Sequence, residues 1–182
     1  RRVLFRSAPF SFFNVLGHEP PTVALGLLRH PEKGLKDTAE NILATGEFVA
    51  HLVPRGMADA MNATCVDAPR EVDELALAGL RTVPSQMVSP PRIADSPVAF
   101  ECRSLSTHET GPRQVAVIGE VVCAHVSDEF VLDAGKGYID TLALDLIARM
   151  HGSGWYARPT NLFQLERPAP IGRGDHGRPG PK

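Results

Sequence analysis

The sequence predicts a mainly β protein with a few helices, an α+β fold built on a curled antiparallel sheet. Residues 98–109 and 113–126 form two long segments of strand character separated by TGP, a pattern typical of an antiparallel hairpin. Within the second segment, Gly119 and Glu120 interrupt an apolar run, which favours the kind of bulge or bend that lets a sheet curl. Helical periodicity is confined to the stretch between residues 36 and 80.

The N-terminal elements follow from local signals. Residues 9–17 are rich in aromatic side chains and end at the turn GHEPP, and residues 22–28 (TVALGLL) come next; both segments predict strands. A helix is expected after the polar loop RHPEKG. Asp37 can cap this helix, Glu40 stands three residues later as in a capping box, and Gly46 suits the position after the last turn.

Shorter elements complete the chain. Residues 47–53 predict a strand after the helix, and residues 55–64 and 71–80 predict two further helices, the second from apolar residues at helical spacing. Residues 85–97 are punctuated by proline and predict a loop. Residues 168–182 combine proline, glycine and charge without periodicity, and we expect them to form a disordered tail.

Residues 1–7 (RRVLFRS) carry three cations around three apolar residues, without a cap, a turn residue or a clear period. A basic arm and the stub of a targeting peptide are two interpretations, but a secretory signal needs an apolar core of about 7–15 residues and a cleavage site. The heptapeptide is also one in-frame translation of a common short-read sequencing adapter. We therefore expect residues 1–7 to be adapter-derived and to have no partner in the fold, and residues 8–167 to form the domain.

Composition limits the class of protein. The chain has 182 residues, 43% of them hydrophobic and 22% charged, which is ordinary for one soluble domain. The net charge of -2 argues against a general nucleic-acid binder, and no apolar run approaches the roughly 18 residues of a membrane span. The three cysteines are widely spaced, which favours reduced thiols in a cytoplasm, and the seven histidines include no i, i+4 pair, so no metal site is predicted.

One segment has the composition of an anion site. Lys36, Asp37 and Thr38 stand at the predicted helix start, where unpaired backbone N–H groups and the helix dipole favour a phosphate. In the alternative interpretation Asp37 is simply the N-cap, Lys36 is solvated, and the carboxylate competes with any phosphate. Residues 11–14 (SFFN) are, taken alone, typical of a core strand. From these residues by themselves the function stays open.

Several segments in one order carry a resemblance to a known family. APFSFFN (8–14), EPP (19–21), KDTAENI (36–42) and TGEFVAHLV (45–53) together resemble the flavin reductase-like FMN-binding family with the split-barrel fold. Matches that continue the resemblance to about residue 168 are AMNAT, VDELALAGL, PPRIADSPVAFECR, VIGEVVCAHV and IARMHGSGWYAR.

The resemblance implies a Greek-key split β-barrel that works as a homodimer, with FMN in clefts at the subunit interface. Four implied cofactor-binding residues lie along the flavin and three form the phosphate element: Ser11, Phe12, Phe13, Asn14, Lys36, Asp37 and Thr38. Lys36 and Thr38 would bind the phosphate, with Asp37 holding the turn. Because the hydride chemistry belongs to the cofactor, the resemblance implies no catalytic side chain.

The implied activity is that of an oxidoreductase that moves reducing equivalents from NAD(P)H to flavin for a partner flavin-dependent monooxygenase. A non-turnover electron-transfer protein of the flavoredoxin type is the alternative, and a split barrel that has lost its flavin is a third. Gly17 stands where the family usually carries a serine. Family members also carry a strand of the type RPIAWVST before the APFSFFN segment, so we expect the barrel here to lack its first strand and to bind FMN poorly.

Overall fold

The computed structural model describes residues 6–30, 34–66, 68–69 and 72–168. Its strands are β1 (Phe13–His18), β2 (Pro21–His30), β3 (Gly34–Leu35), β4 (Glu47–Leu52), β5 (Thr82–Val83), β6 (Arg92–Ile93), β7 (Val98–Gly111), β8 (Gln114–Val126), β9 (Val131–Asp133), β10 (Tyr138–Ile139), β11 (Ala148–Arg149) and β12 (Tyr156–Ala157). Its helices are α1 (Asp37–Thr45), α2 (Ala58–Ala63) and α3 (Glu74–Leu77), with 3-10 turns at Arg55–Met57 and Asp128–Phe130.

An antiparallel sheet of six strands organises these elements. Its strand order is β1-β2-β8-β7-β4, and β3 pairs with β2 outside this path. The remaining short strands form the two-stranded pairs β5–β6, β9–β10 and β11–β12. The mainly β architecture predicted from the sequence is confirmed.

The long hairpin of β7 and β8 is also confirmed. Its ladder runs from the pair of Val98 and Val126 to the pair of Gly111 and Gln114, so the turn is made by the two residues after Gly111, slightly later than TGP predicts. Each strand has more than ten residues, which gives the sheet its longest ladder.

The predicted irregularity near Gly119 takes the form of two bulges. One leaves Leu105 of β7 unpaired opposite the step between Ile118 and Gly119, and the other leaves Val122 of β8 unpaired. Bulges of this kind increase the local twist of a sheet. Gly119 has a separate packing reason: a Cβ there would lie 2.7 Å from Cζ of Phe48, so glycine leaves the space that the Phe48 ring needs.

The hydrophobic core lies between the sheet and α1. Alternate residues of β2 point into it, as a period of two requires, and α1 covers them. The buried cluster consists of Val23, Leu25, Leu27, Ala39, Ile42, Phe48, Cys102 and Val117. No helix among the described residues has both the length and the apolar character needed to cross a membrane.

Helix α1 ends as predicted but begins differently. Gly46 has a φ of 69° and its N–H donates to the carbonyl of Ile42 at 2.8 Å, the arrangement expected for a glycine after the last turn. The predicted cap at Asp37 is wrong, because Lys36 occupies the N-cap position and makes no side-chain capping bond among the described residues. β3 pairs with β2 through Leu35, so extended backbone continues to Lys36 and Asp37 becomes the first helical residue.

The later helices are shorter than their patterns predict. α3 spans only Glu74–Leu77, although it has a true cap: the Asp73 carboxylate accepts the N–H groups of Leu75 and Ala76 at 2.9 and 3.2 Å. Of the predicted tail only Pro168 lies within the described residues, and the prediction for residues 169–182 falls outside them.

Arg6 has partners in the fold, so the expectation that residues 1–7 have none is wrong at this position. Its guanidinium lies 2.6 Å from Oε1 of Glu74 and 3.2 Å from Oδ2 of Asp37, and it donates to three backbone carbonyls before α3. The Arg6 and Glu74 side chains are 8% and 4% exposed. Residues 1–5 lie outside the described residues, and the adapter origin of the heptapeptide stays a prediction.

Substitution Arg6→Ala should lower the free energy of unfolding by about 3–5 kcal/mol, because it leaves the buried Glu74 carboxylate without its cation. Urea unfolding followed by circular dichroism measures the change. The matched control is Arg81→Ala, which breaks the exposed pair with Asp95 and should cost at most about 1 kcal/mol. Equal effects of the two substitutions would contradict the expectation that the buried ion pair of Arg6 stabilises the fold.

Candidate functional site

The first predicted cofactor-binding segment, residues 11–14, leads into β1 at the edge of the sheet. Ser11 and Asn14 are exposed. Phe13 is half-buried, pairs with Leu25 of β2 and packs against the buried cluster. The segment therefore presents polar groups outward while one of its aromatic rings anchors it to the core.

Phe12 exposes its side chain while its backbone is held tightly against β2. Its side chain is 61% exposed, and its carbonyl accepts the N–H of Gly26 at 2.7 Å. A Cβ at Gly26 would lie 2.8 Å from Cβ of Phe12, closer than real Cβ contacts come. The two backbones can therefore approach only because position 26 is a glycine, and the result is an exposed aromatic group on a fixed support.

The second predicted segment lies where β3 ends and α1 begins. Lys36 is exposed at the N-cap position, and Thr38 is half-buried in the first turn. Asp37 directs its carboxylate to Arg6 at 3.2 Å, so the alternative in which Asp37 is the cap is wrong. The positive end of the helix dipole and an exposed lysine thus meet at one point, a combination that favours an anion.

Strand β2 brings the two predicted segments into one region. β1 pairs with β2 as far as Leu25, and β3 pairs with it from Arg29 onward. Since a strand advances by about 3.3 Å per residue, these two contacts are separated by roughly 13 Å. Phe13 of the first segment and Leu35, next to the second, pack against the same buried cluster.

A cleft of about 360 Å³ opens between β1, β2 and β8. Apolar side chains such as Val15 and Phe100 dominate its lining. Gly17 also lines it, and a Cβ at that position would lie 3.4 Å from Oγ1 of Thr22, another lining residue. Thr22 therefore supplies a hydroxyl close to the place where the family's usual serine is missing.

Glu101 of β7 belongs to a polar cluster that sequence reasoning missed. Its side chain is fully buried, and its two oxygens accept the N–H groups of Gln86 at 2.8 Å and Met87 at 2.6 Å. Burial by itself would raise the pKa of Glu101, but these two amides and His125 outweigh it and lower the pKa. The carboxylate is therefore charged in the folded protein.

Two side chains of β8 complete this cluster. Cys123 stands directly opposite Glu101 in the ladder, and His125 follows two residues later on the same face of the strand. His125 Nε2 lies 2.6 Å from Oε1 of Glu101 and 3.5 Å from Sγ of Cys123. Oε1 of Gln86 lies 3.8 Å from the same sulfur.

The loop between β5 and β6 is fastened to this face of the sheet. The Ser89 N–H donates to Glu47 of β4 at 2.8 Å, and Arg103 of β7 donates to the Met87 carbonyl at 2.6 Å. The backbone bond from Ser89 is the main reason why the pKa of Glu47 is lowered. The loop therefore covers the polar face as the helix α1 covers the apolar one.

His51 of β4 holds the end of the same loop. Its Nε2 accepts the Ile93 N–H at 3.0 Å, which requires the neutral imidazole. Burial, with the charges of Arg92 and His125 nearby, lowers the pKa of His51 to about 4. His51 therefore stays neutral near pH 7 and keeps its acceptor nitrogen free for the amide.

The signal for the polar cluster was present in the sequence but lay in strand spacing. Cys123 and His125 are separated by one residue, which places both on one face of a strand, whereas the i, i+4 rule applied to the histidines tests helices only. In the sequence, Glu101 shows only as one of the polar residues that alternate with Val98, Phe100 and Cys102. The covering loop, which only the folded chain brings there, makes that face an interior one.

Comparison with known proteins places the chain among flavin reductase-like domains. The model of the family described as "Flavin reductase like domain" matches residues 3–141, which is more than half of the chain. An uncharacterized protein of Deinococcus radiodurans is 39% identical over 163 residues, which are 90% of this chain and 71% of that protein.

Two solved structures have the same fold. Nitrilotriacetate monooxygenase component B from Bacillus cereus superposes with a TM-score of 0.80 and 30% identity, over 88% of this chain and 79% of that one. A putative flavin reductase with a split barrel domain from Shewanella frigidimarina superposes with a TM-score of 0.79 and 23% identity, over 92% and 81% of the two chains. The predicted split-barrel fold is confirmed.

The free energy of unfolding should fall between about pH 6.5 and pH 4 because of His51. The unfolded chain binds a proton on this histidine in that range and the folded chain does not, so acid favours unfolding, by up to about 3 kcal/mol. His51→Gln keeps an acceptor for the Ile93 amide and should remove this part of the pH dependence. Urea unfolding at several pH values tests it; a variant with the same pH slope as the wild type, or as His18→Gln, would contradict it.

Proposed function

The chain belongs to the flavin reductase-like family, and from this premise we propose that it binds FMN and moves reducing equivalents from NAD(P)H to flavin. The observation that carries the proposal is the start of α1, where Lys36 and Thr38 stand at a helix terminus that Asp37 does not cap. Backbone N–H groups, a dipole and a cation at one point are the ordinary components of a phosphate site.

The ion pair between Asp37 and Arg6 removes the main objection to this phosphate site. A carboxylate at the N-cap would repel a phosphate and occupy the same N–H groups. Here Asp37 is the first helical residue and not the cap, and its carboxylate lies 3.2 Å from the Arg6 guanidinium, which offsets its charge. Lys36 is exposed and contributes the cation on the open side.

The ring of the flavin is assigned to the segment of Ser11, Phe12, Phe13 and Asn14. Phe12 offers an exposed aromatic surface, as a flat π-system requires, and its backbone is fixed by Gly26. Ser11 and Asn14 offer exposed polar groups beside it. The separation of roughly 13 Å along β2 between the two contacts suits a flat ring joined to a phosphate by a five-carbon chain.

Bound FMN supplies the hydride chemistry, so the protein's contribution is binding and orientation. Thr38 and Lys36 hold the phosphate end, while the backbone around Phe12 and Phe13 fixes the ring end. Thr22, in the neighbouring cleft, has the hydroxyl that Gly17 lacks and is available to the chain between them.

The acceptor of the reduced flavin is part of the proposal. The similarity to component B of a monooxygenase supports a partner monooxygenase that uses reduced flavin. We also propose a homodimer with the flavin at its interface. A cytoplasmic location is proposed as well, and the free thiols of Cys65, Cys102 and Cys123 support it.

The activity itself is tested by following NADH and NADPH oxidation at their near-ultraviolet absorbance with the purified chain and free FMN. A reductase should turn over many equivalents of nucleotide per chain and should stop when FMN is withheld. Tight binding of FMN without turnover would instead indicate an electron carrier reduced by another protein. Absence of both binding and turnover, at flavin concentrations high enough to detect weak binding, would contradict the proposed function.

Substitution Lys36→Ala should weaken FMN binding by about 1–3 kcal/mol, the range for the loss of a charged hydrogen bond. Riboflavin, which lacks the phosphate, should bind equally well to both proteins. Titration of the flavin fluorescence measures both affinities. Lys136→Ala, which removes a lysine paired with Asp133 in a distant turn, is the matched control and should change neither. Equal weakening of FMN and riboflavin by Lys36→Ala would rule out this phosphate site.

A further inference from the structure

Among the described residues, one group of side chains has the composition of a metal site. Glu101, Cys123 and His125 place one ligand atom each within 4.8 Å of the others. We propose that Glu101, Cys123 and His125, with the side-chain oxygen of Gln86, bind a single Zn²⁺ ion between β7, β8 and the loop that covers them. None of these residues is part of the proposed flavin site.

The strand register explains why these residues meet. Glu101 and Cys123 are direct partners in the β7–β8 ladder, and His125 shares the face of Cys123 because side chains repeat every two residues. The bulge at Val122, just before Cys123, shifts the register here and re-aims the neighbouring side chains. Gln86 comes from the loop, whose amide at the same residue is tied to Glu101.

The separations from Cys123 to His125 and to Gln86 are close to those of tetrahedral zinc, and the three ligand atoms of Glu101, Cys123 and His125 all lie within 4.8 Å of one another. Zn–S bonds of about 2.3 Å and Zn–N bonds of about 2.0–2.1 Å place the two ligand atoms roughly 3.5 Å apart in a tetrahedron. Sγ of Cys123 and Nε2 of His125 are 3.5 Å apart, and Oε1 of Gln86 is 3.8 Å from the sulfur. His125 and Glu101 are separated by 2.6 Å, so the ion would replace their hydrogen bond and spread the two atoms by less than about 1 Å.

Charge and ligand type select the metal. A Cys123 thiolate and the Glu101 carboxylate together offset the charge of a divalent ion, which matters because the Glu101 side chain is fully buried. The Arg92 guanidinium, 3.9 Å from Glu101, keeps its own positive charge beside the site. One sulfur and one imidazole favour Zn²⁺ over Mg²⁺ or Ca²⁺, which prefer oxygen ligands alone. Proton release from the thiol accompanies binding, as it does at other cysteine sites.

The site has a route to solvent. Cys123 is half-buried and lines the cleft between β1, β2 and β8, while its sulfur contacts the cluster. The partial exposure of Cys123 therefore gives an ion access to one of the ligands from solvent.

The proposal is tested on the whole chain by equilibrium dialysis of the chelator-treated protein against Zn²⁺, with metal content measured by mass spectrometry. The wild type should retain one equivalent. Cys123→Ser and His125→Gln should each weaken binding by at least about 100-fold, since even outer partners of a ligand are worth 10–100-fold. Cys65→Ser removes an exposed cysteine elsewhere and should bind as the wild type does.

A spectrum of the wild type with Co²⁺ keeps the test independent of how the variants fold. Thiolate-to-cobalt absorption and the ligand-field bands of tetrahedral cobalt should appear at one equivalent and disappear when Zn²⁺ is added. Wild-type protein that binds no more zinc than Cys123→Ser, or cobalt spectra without a thiolate band, would overturn the proposal and leave the three side chains as a hydrogen-bonded cluster. Flavin titrations on the same samples report separately on the proposed function.

Discussion

A charged carboxylate with no access to solvent must be met by donors, and Glu101 imposes this demand on the centre of the sheet. Two of its donors are the backbone amides of Gln86 and Met87, so the loop between β5 and β6 has to cross this face with those amides turned inward. The third partner, His125, lies on the neighbouring strand. The charge of Glu101 therefore fixes the inward-facing part of the loop, while Glu47, His51 and Arg103 hold the rest of it to the same face.

The alternation of side chains along a strand places two cysteines in contrasting environments. Cys102 follows Glu101 by one residue, so it faces the apolar core, and burial together with the Glu101 charge raises the pKa of its thiol to about 12. Cys123 lies on the polar face beside His125 and at the cleft. A shift of one residue in the register would exchange these environments.

The sequence predicted those features that local patterns decide. Alternation gave the β7–β8 hairpin, and Gly46 marked the end of α1 because its φ of 69° suits glycine. The helix start was missed because β3 pairs with β2 up to Leu35, a contact that local capping rules do not include. Glu101 was missed as a buried group for the same reason, because its amide donors come from a loop outside the strand, at Gln86 and Met87. Strand β2 brings the two predicted cofactor-binding segments into one region. The family resemblance implied that these segments lie close together, whereas their spacing in the sequence did not predict it.

The two proposed sites depend on different parts of the sheet. Strand β2 sets the distance between the two parts of the proposed flavin site, because the ring segment contacts it at Gly26 and the phosphate element follows its pairing at Arg29. A bend in β2 would therefore change the distance between the two ends of the ligand. The register of β7 and β8, with its bulge at Val122, sets the distances between the proposed zinc ligands on these two strands. β8 is the neighbour of both β2 and β7, and its Cys123 lines the same cleft as Thr22 of β2. An ion held there would stiffen the β8 wall of the cleft, whereas the phosphate element at the far end of β2 would be untouched.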